Sequence, residues 1–183
     1  MKKVCLLLVL IAAACSGCLF PSHKYTPLKS YDLALIGNAR VQNQFYVSAF
    51  GNDSPTRHRM LYRKNNNLIE QDPYNNWIQR PENMLSRYCS RMFPLAEKSN
   101  LSDLVEVRAV VNAFEFDLNS SEAVLGLFVT LRHKGIRKSF SINIREKVAQ
   151  KTPEAFAAAM SRAAWQAGSM IQVEAGRFAS DKK

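Results

Sequence analysis

Cysteine is nearly missing from the body of this 183-residue chain. Three of its four cysteines (Cys5, Cys15 and Cys18) fall in the first eighteen residues, which leaves Cys89 alone thereafter. One thiol closes no internal bridge, so the fold is not a disulfide scaffold. As a nucleophile Cys89 would need neighbours that lower its pKa. It stands instead among apolar residues at helical spacing, as a small buried side chain would. Histidine is equally scarce. His23, His58 and His133 lie far apart, and none has cysteine or acid at ligand spacing, which argues against a zinc site. No glycine-rich loop precedes a helix, which argues against a glycine-loop phosphate cradle, and no G-x-S-x-G elbow occurs.

Acid is short as well. Fifteen Asp and Glu face twenty-five Lys and Arg, a net charge of +10. The positive residues are scattered rather than striped, which does not suit a nucleic-acid surface. Anionic lipid headgroups, an acidic partner or plain solvated charge are the readings that remain. The one carboxylate pair that invites acid–base chemistry, Glu115 and Asp117, alternates with Phe114 and Phe116. It reads as the wet face of a half-buried strand. No enzyme chemistry and no metal are expected.

What is present begins with "MKKVCLLLVLIAAACSGC". Lys2 and Lys3 precede an apolar run from Val4 to Ala14. That run is shorter than the ~20 residues a spanning helix needs, and small residues then lead to cysteine. This is a secretion signal with the small-small-Cys ending of a bacterial lipoprotein. Residues 1–17 are expected to be removed and Cys18, or alternatively Cys15, to carry the covalent lipid (palmitate among its chains), the only cofactor implied. Loss of Lys2 and Lys3 turns +10 into +8. The residue after either cysteine is not aspartate, so in a double-membrane bacterium the anchor should sit in the outer membrane and face the periplasm.

Residues 18–30 read as a lipidated tether, 31–178 as a single domain and 179–183 as a polar tail. Within the domain, period-two patterns predict strands at Tyr31–Ile36, Gln44–Phe50, Arg59–Arg63, Leu68–Gln71 and Leu104–Phe116. Gly51–Pro55 should break the second of these. The long strand changes phase from Val105, Val107, Ala109 and Val111 to Phe114 and Phe116, as a β-bulge would produce. Ala123 to Leu131 and Phe140 to Ile144 alternate around a Lys134-Gly135 turn. Pro81–Phe93 should form a helix with Pro81 at N1, burying Met84, Leu85, Tyr88, Cys89 and Met92. Thr152-Pro153-Glu154 starts a second helix that runs to about Gly176. Its buried stripe is Phe156, Met160, Ala163, Ala164, Ala167 and Ile171. Trp165 falls opposite, either as an oligomer contact or as a lone surface tryptophan. The order predicts an α+β two-layer sandwich, a mostly antiparallel sheet with two helices packed on one face.

One stretch resists a purely bland account: "MLYRKNNNLIEQDPYNNWIQRPENMLSRYC". An Asp-Pro-Tyr turn, two large aromatics in polar company and a proline-initiated helix make a rigid connector, in which Trp77 or Ile78 could staple onto Met84 or Leu85. The stretch resembles the signature of the ABC-type transport auxiliary lipoprotein family, the PqiC-like proteins. Tyr62, Arg63, Tyr74, Asn76, Trp77 and Pro81 are the matching positions, with roles in structure or interface. The early Tyr-Tyr-x-Leu of that family is degraded here to Lys24-Tyr25-Thr26, and its Leu-Asp-Arg is missing near Thr56–His58. The resemblance implies a non-catalytic, homo-oligomeric outer-membrane lipoprotein. Its partner would be an MCE-domain periplasmic protein and, through it, an ABC permease system moving lipid across the periplasm. The alternative is a stand-alone envelope-assembly lipoprotein that binds lipid or glycolipid.

Overall fold

The structure is a computed structural model that describes residues 25–40, 44–97 and 99–180. The signal at 1–17, both lipidation candidates Cys18 and Cys15, the first part of the tether and the last three residues of the tail lie outside the described residues. Within them, three long strands form the frame: β6 (Val105–Asp117), β7 (Glu122–His133) and β8 (Ile136–Lys147). They pair antiparallel as an up-and-down meander. Ala123, Leu125, Leu127, Val129, Leu131, Ile142 and Ile144 are all buried on one face, as their alternation requires. Lys134 and Gly135 both take positive φ, 46° and 81°, which makes the two-residue turn whose twist suits a hairpin.

The expected bulge falls at Asn112, which the β6–β7 register skips between Val111 and Ala113. Gly126 faces it across the ladder, and a Cβ there would lie 2.0 Å from Asn112 Oδ1. Glycine is what lets the bulged side chain lie across the neighbouring strand.

The free edge of β6 is occupied by pieces of chain running parallel to it. These are β2 (Phe45–Val47), β3 (Gly51–Asn52) and the end of β4 (Arg59–Arg63). Beyond β4 lie β5 (Ile69–Trp77), antiparallel to it, and β1 (Lys29–Tyr31), parallel to β5. The result is a mostly antiparallel open sheet of eight strands. Helices α1 (Pro81–Met92) and α2 (Pro153–Ser180) pack on one face of it. The fold is therefore the α+β arrangement expected. Gly168 lets the helices approach closely, since a Cβ there would meet Met92 Sδ at 2.7 Å. Both helix starts are as anticipated, with Pro81 at N1 and Thr152 Oγ1 accepting from Ala155 N at 3.2 Å.

Four expectations need correcting. The first strand is not Tyr31–Ile36. β1 stops at Tyr31, and the following chain leaves the sheet to cross the helices, where Ala34 N donates to Ser161 Oγ (3.0 Å) and Arg40 N to Met92 O (2.8 Å). Leu33 is buried there, so the apolar signal was real but its partner is a helix. The strand at Gln44–Phe50 is split. Its ladder ends at Val47 and resumes at Gly51-Asn52, the segment expected to break it. β5 continues well past Gln71 to Trp77. Finally, α2 runs through Gly176 to Ser180, because Phe178 is buried and draws the last turn onto the core.

Candidate functional site

The stretch that carries the family resemblance forms one joint between hairpin and helix. Asn65 Oδ1 accepts from the amides of Asn67 (3.0 Å) and Leu68 (2.8 Å), closing the β4–β5 turn. Downstream, the register jumps from Leu61↔Gln71 to Arg59↔Asn76. Residues Asp72 to Asn75 therefore bulge out of β5, and Pro73 sits where no ladder bond is asked of it. The expected Asp-Pro-Tyr turn exists, inside a strand rather than between elements.

Asp72 organises this bulge. Its Oδ1 accepts from Tyr74 N (2.8 Å) and Asn75 N (2.9 Å), and its Oδ2 from Asn75 Nδ2 and the Tyr62 hydroxyl, both at 2.9 Å. Burial pushes the Asp72 carboxyl up. The Tyr74 amide, the Asn75 side chain and amide and the Tyr62 hydroxyl together outweigh it and bring the carboxyl below the usual aspartate value. Burial first, then the bond to Asp72, pushes the Tyr62 phenol far up. The network continues across the sheet edge. The Tyr31 hydroxyl donates to Glu154 Oε1 at 2.7 Å, and Lys29 lies 3.4 Å from the same oxygen. Burial and the adjoining Glu154 push Tyr31 up to about 12. β1, the bulge and the start of α2 are thus tied by polar contacts.

The sign of the Asp72 shift sets a pH dependence. Its folded value lies below an unfolded value near ~3.9, so its stabilisation is complete above that value. It is lost as pH falls through the folded one. Asp72→Ala should lower stability by about 2 kcal/mol at neutral pH, the scale of charge-assisted bonds. The gap between variant and wild type should narrow by pH 3. Urea denaturation at the two pH values checks this, and a gap independent of pH would assign the loss to packing alone.

Arg63 and Trp77 complete the joint from opposite faces of the sheet. Arg63 grips Glu115 with two bonds, Nε–Oε1 at 2.5 Å and Nη2–Oε2 at 2.9 Å, and donates through Nη1 to Asn66 O. Glu115 is buried, not wet as its alternation suggested. Its neighbour Asp117 is 3.3 Å from Arg145, so both carboxylates serve ion pairs.

Trp77 ends β5 fully inside the core, edge-on to Phe114 at 5.0 Å and Phe156 at 5.3 Å. Its indole N–H has no hydrogen-bond partner among the described residues. The staple reading fails for Ile78, which is 54 % exposed. Asn76 continues the ladder opposite Ser30, and Pro81 is buried at N1 of α1. Tyr74 rides on the bulge, about half exposed.

The remaining singled-out residues separate from this joint. Trp165 is half-buried, its ring lying beneath Gly37 and within 5.9 Å of the Arg40 guanidinium. It thus has an intramolecular cover in the chain that follows β1. Cys89 is buried and its thiol is pushed up to about 12 by that burial, a state unsuited to nucleophilic work. His58 lends its carbonyl to Trp77 N, and His133 Nδ1 lies 3.3 Å from Leu104 O. No group of three or more metal-ligating side chains gathers among the described residues. Asp72, Glu115 and Glu154 were the residues that sequence reasoning undervalued. Asp72 carried a local signal, acid two and three positions ahead of the amides it caps, and Glu154 one as the acid of a helix first turn, whereas Glu115 carried none.

No family model matches the chain, and no curated protein does. Solved structures do. An uncharacterized protein of known crystal structure superposes with a TM-score of 0.69 at 15% identity, over 81% of this chain and 99% of its own. The crystal structure of protein XCC0632 from Xanthomonas campestris, of the family DUF330, gives 0.57 at 19% identity, over 85% and 96%. What they share with this chain is the fold. The superposition takes in nearly the full length of both neighbours.

Proposed function

We propose that this chain is a non-catalytic lipoprotein component of an MCE/ABC-type transport system. Anchored through Cys18 in the outer membrane, it would dock the periplasmic MCE assembly that carries lipid between the membranes. The observation that carries this reading is the joint itself. Tyr62, Arg63, Asn76, Trp77 and Pro81, which match the family signature, are joined in one scaffold: Tyr62 and Trp77 pack on Phe156 of α2, Pro81 starts α1, and Arg63 and Asn76 tie the hairpin to β6 and β1. A binding module needs such a scaffold. It holds sheet edges and exposed aromatics such as Tyr74 in fixed relation to a partner. A homo-oligomer belongs to the same proposal, with its contact placed elsewhere than Trp165, whose ring is covered by Gly37 and Arg40 of its own chain.

The decisive experiment expresses the full chain with its genomic neighbours in a double-membrane host. Palmitate labelling is expected at Cys18 and to vanish in Cys18→Ala, with affinity capture retrieving an MCE-domain protein from the periplasm. Label that persists in Cys18→Ala and vanishes in Cys15→Ala moves the anchor to Cys15. A chain that binds lipid as a monomer and retrieves no MCE protein is instead a stand-alone envelope-assembly lipoprotein.

A further inference from the structure

At the end of the sheet remote from the Asp72 bulge, the β7–β8 turn and a 3₁₀ turn (Leu101–Asp103) enclose a cleft of about 470 Å³. This lies within the range of small-ligand sites, ~300–1,000 Å³. Two features of its lining are unusual. The β7–β8 register sets Arg132 directly opposite Arg137, and like charges so placed work against the sheet. Glu106 faces Arg132 from β6, yet its carboxylate accepts from Arg108 Nε at 2.7 Å. Neither Arg132 nor Arg137 has an acceptor among the described residues, and Lys134 adds a third cation at the turn. Beside these charges the same cleft presents Leu101 and Ile136, 51 % and 42 % exposed, and the ring of Tyr46.

We propose that this cleft binds an anionic amphiphile. A phosphate headgroup would lie across Arg132 and Arg137, and the start of the acyl chain along Leu101, Ile136 and Tyr46. Two arginines at directly opposed register positions can bring two guanidinium forks to one phosphate, which accepts paired N–H bonds. They also explain why a fold keeps two arginines that repel each other when the cleft is empty. The adjoining apolar side chains give the chain segment a place that free phosphate cannot use. The site adds a ligand to the docking reading without depending on it, since partner capture and lipid binding are read separately.

Native mass spectrometry of the full chain, released from neutral detergent, tests it. Dihexanoyl phosphatidylglycerol is expected to bind one to one, about ten-fold or more tighter than the zwitterionic phosphatidylcholine of the same length, and Arg132→Gln with Arg137→Gln should lose that margin. Inorganic phosphate should displace the lipid only at far higher concentration. The variant stays informative because folding is not at risk. Relief of the arginine pair in Arg137→Gln should raise the melting temperature by about 1–3 °C. Equal binding of both lipids, undiminished binding in the double variant, phosphate as tight as the lipid, or tighter binding of a hexaglutamate peptide would each overturn the assignment. A lower melting temperature in Arg137→Gln would do so too.

Discussion

Trp77→Ala is expected to cost about 3–5 kcal/mol of stability, the range for emptying a large aromatic site in a core. For a domain of this size that corresponds to a fall of roughly 6–20 °C in melting temperature. The side chain is fully buried and touches the aromatic group that holds the two layers together. Phe156 of α2 stacks on Phe116 of β6 at 5.4 Å, and Trp77 closes on both Phe156 and Phe114 edge-on. Removing it therefore loosens the strand–helix contact at both layers at once. Trp77→Phe should cost far less, about 1–2 kcal/mol for the area lost. No hydrogen bond is sacrificed, because the indole N–H has no partner among the described residues. Urea unfolding followed by circular dichroism, and by the remaining tryptophan Trp165, separates the two variants. Under the docking proposal, partner capture by Trp77→Ala should fall only as far as its folded fraction does. A variant that melts like wild type yet captures no partner would place Trp77 at the interface instead of in the scaffold.

Local patterns were the legible part of this molecule. The phase change at Phe114 is a statement about β6 alone, and it placed a bulge between Val111 and Phe114, where the ladder skips Asn112. Likewise Pro81, Thr152 and Lys134-Gly135 act through their own backbone geometry, which no distant contact had to supply. The errors occur where pairing is long-range. β2, β3 and the end of β4 share one edge of β6 across about sixty residues of intervening chain or less, and all run parallel to it. Period-two alternation reports that a segment is half-buried, not what covers it. The same limit misplaced β1, because Leu33 alternates as a strand residue would while its cover is helical. In the candidate site, Asp72 was legible as a turn former. Glu115 was not, since a carboxylate in a strand reads as solvent-facing unless the arginine that buries it is known to lie beside it. Arg63 stands fifty-two positions away.

Severing the Arg63–Glu115 pair should be the second large effect. With 9 % of the Glu115 side chain and 27 % of the Arg63 side chain exposed, the carboxylate is the more deeply committed partner. Arg63→Leu strands it in a poorly solvated position, and about 3 kcal/mol should be lost, the lower end for breaking a buried pair because the guanidinium keeps some water. Glu115→Leu should cost less, since the freed Arg63 can turn toward solvent and still hold Asn66 O. Replacing both with leucine removes the orphaned charge, so the double variant should be more stable than Arg63→Leu alone. The coupling read from the cycle should then be about 1–3 kcal/mol. Chemical denaturation of the three variants and wild type at neutral pH gives all the terms. Strict additivity would mean that the two side chains act independently, and that Arg63 stabilises the β4–β5 turn through Asn66 rather than the sheet through Glu115. A coupled result would instead identify the pair as the pin that fixes β4 against β6, with its Tyr62↔Phe116 and Arg63↔Asp117 register. That register sets where the hairpin, its bulge and Tyr74 stand relative to the rest of the sheet.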